Sequence, residues 1–161
     1  MDAEAARIQQ IILKPRRPAG FGLPLPKHLD TWISVSEFPE WIRDYLTFCT
    51  SSAYFDLGPY SINPLQKTYS FAREHPRLFD AGYLAVAGTD NGDELVCAFR
   101  EPHGPILILS HDTLWTTQST EELCSEFILV SPSLTEFFEA CIADTGLPGD
   151  YYDALKRRNA N

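Results

Sequence analysis

Apolar positions along the chain recur at helical spacing in the first half and at strand-like spacing in much of the second. Residues 2–13 can form a short helix, which cannot continue into LKPRRPAGFGLPLPKHL, where four prolines and two glycines interrupt it. Residues 14–33 therefore read as an extended connector laid over the domain. In SVSEFPEWIRDYLTFCTSS, Phe38, Trp41, Ile42, Tyr45, Leu46 and Cys49 fall on one helical face. Ser36 is the expected cap of that amphipathic helix, and Pro39 suits an early helical position. YFDLGPYSINPL has turn formers every few residues and predicts one or two short strands. Residues 65–77 are polar and helix-compatible, with an end at or before His75 because Pro76 disfavours helical geometry in the residue before it.

Beyond residue 80 the period shortens. YLAVAG, ELVCAFR and ILILSHD are short apolar runs rich in strand formers, separated by the turn sequences TDNGD and EPHGP, and they predict an antiparallel meander. Ser119 and Glu122 have capping-box spacing ahead of a helical turn, and FILV can form a further strand. Ser133 with Glu136 opens the helix SLTEFFEACIADTG, which Gly146 and Pro148 end. A last short helix is expected over 149–158, its bases at the C-terminal end where the helix dipole favours them. These elements divide the chain into an N-terminal helix and connector (1–35), an α+β unit (36–145) and a helical tail (146–161).

Bulk properties narrow the class. At 161 residues and 44% apolar content the chain has the size and composition of one globular domain. No apolar run approaches the roughly 18 residues of a membrane span. The N-terminus places acids before its apolar run and bases after it, the reverse of a secretory signal, so a cytoplasmic location is expected. Cys49, Cys97, Cys124 and Cys141 are widely spaced within apolar segments and read as buried thiols in a reducing compartment. The charge is lopsided: of the 22 acids, 14 lie between residues 80 and 153, where Arg100 is the only Lys or Arg. Such a field repels nucleic acid and anionic lipid and speeds encounter with a basic protein.

Candidate chemistry is sparse. In AGTDNGDELV the residues Asp90, Asn91, Asp93 and Glu94 surround one glycine, yet twelve residues from Asp90 lead to Glu101 through strand sequence, which is no calcium loop. Asn91-Gly92 is the mark of a hairpin turn in which both residues tolerate positive φ, so Asp90, Asp93 and Glu94 are expected to be solvated at its tip. Ser110-His111-Asp112 is rejected as a triad, because successive strand residues face opposite ways, turning Ser110 and Asp112 away from His111. His103 sits in a turn, and His28 and His75 have no metal-ligand pattern. No phosphate loop, dinucleotide fingerprint or nucleophile elbow occurs. Glu121-Glu122 and Glu136-Glu139 read as solvated helix faces. Trp115 follows a strand among small polar residues and is a candidate interface anchor. No catalytic residue, metal or cofactor is assigned.

The order of these segments resembles the SUKH superfamily. FPEWIRDYLTFCTSS resembles its Leu-Pro helix, NPL at 63–65 its following strand and helix entry, LFDAGYLAVAGTDNGDELVCAFREPHGPILILSHD its central signature, and SLTEFFEACI its closing segment. The chain departs at Thr50-Ser51-Ser52, which replaces a glycine turn, at Phe38, which replaces a leucine, and over residues 1–35. The resemblance implies a single α+β domain with a curved, mainly antiparallel sheet packed with helices. It also implies a non-catalytic binding protein: in bacteria an immunity protein that neutralises a toxin, often a nuclease, and in fungi a regulator of cell-wall synthesis and signalling. Joined to the charge asymmetry, it makes a basic cognate toxin the expected partner, with no nucleic acid or membrane. The contact residues are then Asp90, Asp93, Glu94, Glu101, Asp112, Trp115, Glu121 and Glu122. A regulatory or scaffold protein is the alternative, and an enzyme using His103 or His111 a third class.

Overall fold

The central strands of this chain bury both their faces, and the architecture follows from that. The computed structural model describes residues 1–116 and 119–160. Six strands form one antiparallel meander in sequence order: Phe55–Leu57 (β1), Tyr60–Ile62 (β2), Tyr83–Gly88 (β3), Glu94–Ala98 (β4), Ile106–Leu109 (β5) and Ile128–Ser131 (β6). Along β3 and β4, Leu84, Val86, Leu95 and Cys97 enter one apolar cluster, whereas Ala85 and Val96 enter a second on the opposite face. Helices cover both sides, which is why these strands read as unbroken apolar runs. The protein is α+β, with an antiparallel sheet packed with helices, as its resemblance implied.

The larger cluster is roofed by five helices: Ala3–Leu13 (α1), Lys27–Val35 (α2), Glu40–Phe48 (α3), Leu134–Ala143 (α8) and Tyr151–Ala160 (α9). Asp2 caps α1 by accepting a 2.8 Å hydrogen bond from Glu4 N, and Ala5, Ile8 and Ile12 point inward. The connector expected over 14–33 fails at its C-terminal end, where α2 forms. Pro26 occupies its cap, a place where a missing N–H costs nothing, and Leu29, Trp32 and Ile33 then fall on one helical face. Trp32 packs edge-on to Phe38 at 5.3 Å between ring centroids, and Phe38 meets Phe99 at 5.2 Å. Ser36 ends α2 in extended geometry and does not cap α3; Pro39 takes the position ahead of that helix, with no side-chain cap.

The second cluster lies under Leu65–Glu74 (α4), Pro76–Asp80 (α5), His111–Thr116 (α6) and Thr120–Ser125 (α7), through Phe71, Leu78, Leu114 and Leu123. Helix α4 stops at His75, as Pro76 requires. Ser119 accepts from Glu122 N at 3.1 Å, the expected cap of α7. Leu134–Ala143 (α8) starts at Ser133, which accepts from Glu136 N at 3.1 Å, and ends at Asp144 in left-handed geometry. Tyr151–Ala160 (α9) packs on β6 and β5. Register shifts in the pairing between Ala85 and Ala87 and between Ile106 and Leu107 are the sites where bulges add bend to the sheet. Among the described residues, no helix is long and apolar enough to cross a membrane.

Candidate functional site

The β3–β4 hairpin brings together the residues singled out in AGTDNGDELV. Thr89 O accepts from Gly92 N at 3.0 Å and Thr89 N donates to Asp93 O at 3.0 Å, closing a turn in which Gly92, at φ +86°, takes the left-handed position. Asn91 does not share that geometry, so the turn rests on glycine alone rather than on both residues. The Asn91 side-chain amide instead donates to Asp150 Oδ2 at 2.9 Å, and Asp150 Oδ1 accepts from Asp153 N at 2.8 Å at the start of α9.

Asp93 corrects the expectation of a solvated tip. It is 1% exposed. Its Oδ1 accepts from His111 N at 3.2 Å and lies 3.0 Å from His111 Nδ1, while Oδ2 accepts from Tyr151 N at 2.9 Å. One carboxylate thus pins the hairpin to the first residues of both α6 and α9, two places where helix geometry leaves N–H groups without partners. This is also why the strand ILILSHD ends early: Leu109 closes β5, and the Asp93 carboxylate starts α6 at His111. The strand geometry used against a Ser110-His111-Asp112 relay therefore does not apply. His111 Nε2 lies 3.3 Å from Asp112 Oδ1, so both ring nitrogens face carboxylates. The Asp93 hydrogen bond holds the imidazole above its usual pKa, with Asp112 adding to the effect.

Glu94 is likewise withdrawn from solvent. Its carboxylate is 13% exposed and 3.3 Å from Lys67 Nζ on α4. Burial raises its pKa, and Lys67 opposes that shift. Asp90 at the hairpin tip and Asp112 on α6 are exposed as expected. Trp115 on α6 is 70% exposed, its ring edge-on to His75 at 5.1 Å, and His75 in turn lies 4.7 Å from Phe71. Burial lowers the His75 pKa. Trp115 is thus braced from below and open above.

Glu101 belongs elsewhere. It lies in the β4–β5 turn, at the end of β4 opposite the hairpin, so the structure separates it from Asp90, Asp93, Glu94 and Asp112. Glu121 and Glu122 are exposed on α7, which follows α6 across residues 117–118, outside the described set. Sequence reading missed His111, Tyr151 and Lys67 as partners of these acids; the Asp93–Tyr151 link spans 58 residues, and no local pattern announces it.

The opposite end holds a cleft of about 550 Å³ lined by Glu4, Arg7, His103, Ser133, Thr135 and Glu136. Glu4 Oε1 accepts from Thr135 Oγ1 at 3.0 Å, and Glu4 Oε2 lies 3.6 Å from His103 Nδ1. His103, an exposed turn residue as expected, has a φ of +65°. Cys49, Cys97 and Cys141 are buried thiols; burial pushes Cys49 and Cys141 up to about 12 and Cys97 higher still, which keeps all three unreactive. Cys124 is only half-buried. Among the described residues, no group of three or more His, Cys, Asp or Glu is arranged to hold a metal ion.

Comparison of the chain with protein-family models, with curated proteins and with solved structures finds no match.

Proposed function

We propose that this protein is an immunity protein of the SUKH kind, which binds and neutralises a basic bacterial toxin in the cytoplasm. One observation carries the reading: Asp90, Asp112 and Trp115 stand exposed on elements tied to a single buried carboxylate, in a chain with no Lys or Arg between residues 101 and 155. A surface held by its own framework loses little conformational entropy on binding. An exposed indole beside carboxylates suits a partner's Arg or Lys, which gains both a charge partner and a ring face. Asp93 and Glu94 serve this surface by holding it, while Asp90, Asp112, Trp115, Glu121 and Glu122 supply the contacts. Glu101, at the far end, is not part of it.

Co-expression with any toxin encoded beside this gene tests the proposal. The wild-type chain is expected to restore growth, and the purified pair to weaken as salt rises. Asp112→Lys and Trp115→Ala should each weaken binding by tenfold or more, and Glu101→Lys should leave it unchanged. Affinity that ignores both salt and these substitutions refutes the acidic surface. Failure to protect against any adjacent toxin refutes immunity and leaves a regulatory or scaffold protein.

A further inference from the structure

The sheet has two edges, and they are treated differently. At β1 the strand is three residues long and its turn is pressed against α8: a Cβ on Gly58 would come within 2.8 Å of the Cys141 carbonyl oxygen. β6 pairs with β5 on one side only. Among the described residues, no hydrogen bond apart from the β5 ladder reaches Leu129 or Val130. Protein edges are guarded by a lysine, a proline, an inward charge, a bulge or a short strand. β6 is only four residues long and its pairing with β5 shifts register, but ILVS carries no lysine, proline or charge, and Leu129 is 60% exposed.

A cleft of about 310 Å³ runs beside this edge, lined by Ile128, Val130, Pro148, Ala154, Arg157 and Arg158. Arg157 is fixed, donating to Leu147 O at 3.3 Å and to Asp153 Oδ2 at 2.8 Å, and also to Gly146 O. Arg158 is exposed and makes no ion pair among the described residues. The nearby Glu126 carboxylate already accepts from the Tyr151 hydroxyl at 3.1 Å. Two of the four Lys and Arg residues beyond residue 80, Arg157 and Arg158, therefore line the cleft beside β6.

We propose that the outer edge of β6 takes an extended, carboxylate-bearing segment of another protein as an added strand. The main chain of that segment pairs with the outward-facing N–H and C=O groups of β6, its apolar side chains cover Leu129 and the floor of the cleft, and its carboxylates meet Arg158. A second copy of this chain fits less well, because antiparallel pairing of two β6 strands brings the bases of α9 against the same bases of the other copy. The site is independent of the toxin-binding surface.

The test uses the full chain and two fluorescein-labelled octapeptides, one alternating valine with glutamate and one alternating valine with lysine. By fluorescence anisotropy the glutamate peptide should bind at least tenfold more tightly, and its addition should slow hydrogen exchange at the Leu129 or Val130 amide. Arg158→Glu should reverse the preference between the peptides, and Leu129→Lys should abolish both complexes while the thermal melt stays unchanged, since both side chains are exposed. Equal affinity for the two peptides, binding without amide protection, or sedimentation of the free protein as a dimer that Leu129→Lys dissociates would each overturn the proposal.

Discussion

The two ends of the sheet are held by opposite means. At the hairpin end a carboxylate is buried and both its oxygens accept from neighbouring elements: Asp93 joins β3–β4 to α6 and α9. At the other end the β4–β5 turn is held by shape. Gly104, at φ +58°, sits where a Cβ would overlap the Trp41 ring and the Cys97 sulfur, while the acid of that turn, Glu101, remains in solvent. The Asp93 carboxylate is part of the frame, whereas the Glu101 carboxylate is not. Acidic residues close in sequence can thus differ completely in what they do, and burial of the carboxylate is what separates them.

The sharpest way to break this contrast is Asp93→Ala. Removing the carboxylate orphans the N–H groups of His111 and Tyr151 together, at a cost of about 3 kcal/mol or more. Urea unfolding should show it, and a loss below about 1 kcal/mol would mean that water replaces the carboxylate with ease. Next in size is Gly104→Ala, which should cost about 2 kcal/mol from the left-handed backbone and the overlap with Trp41. Alanine at Gly149, where nothing lies within 4 Å, is the control and should be neutral within about 0.5 kcal/mol.

A smaller effect separates two histidines by sign. His111 is raised above 6.5 by Asp93, so the stability it adds is complete below pH 6.5 and disappears as pH rises through its folded value. His75 is lowered by burial, so its contribution is complete above pH 6.5 and is lost as pH falls through its lower, folded value. Proton NMR should place the two titrations on opposite sides of 6.5, and coincident midpoints would contradict the geometry at one of them. Least of all, Asp90→Lys and Glu101→Lys should each change stability by less than about 0.5 kcal/mol, since both side chains are solvated.

Much of the fold was legible because it is local. The meander follows from three apolar runs and two turn sequences, and the caps at Ser119 and Ser133 follow from a Glu three residues on. Helix α2 was hidden because the prolines before it dominate any reading, although Leu29, Trp32 and Ile33 carry its periodicity. At the candidate site the exposed members, Asp90, Asp112 and Trp115, could be named from turn and helix context. The inward rotation of Asp93 could not, since what draws it in is Tyr151 on a helix far along the chain and a strand end that only the folded sheet defines. Glu94 is similar: its partner Lys67 lies on a helix whose position over the sheet no short window encodes.

Helix α1 has a bearing on how the molecule is made. Its inward face, Ala5, Ile8 and Ile12, rests on α3 and on α8, so one of its two supports leaves the ribosome some 120 residues after it does. The sheet can zip up strand by strand as it is synthesised, each hairpin needing only its neighbour. Closure of the roof must wait for α8, which makes its arrival the moment at which a nascent chain becomes a finished one.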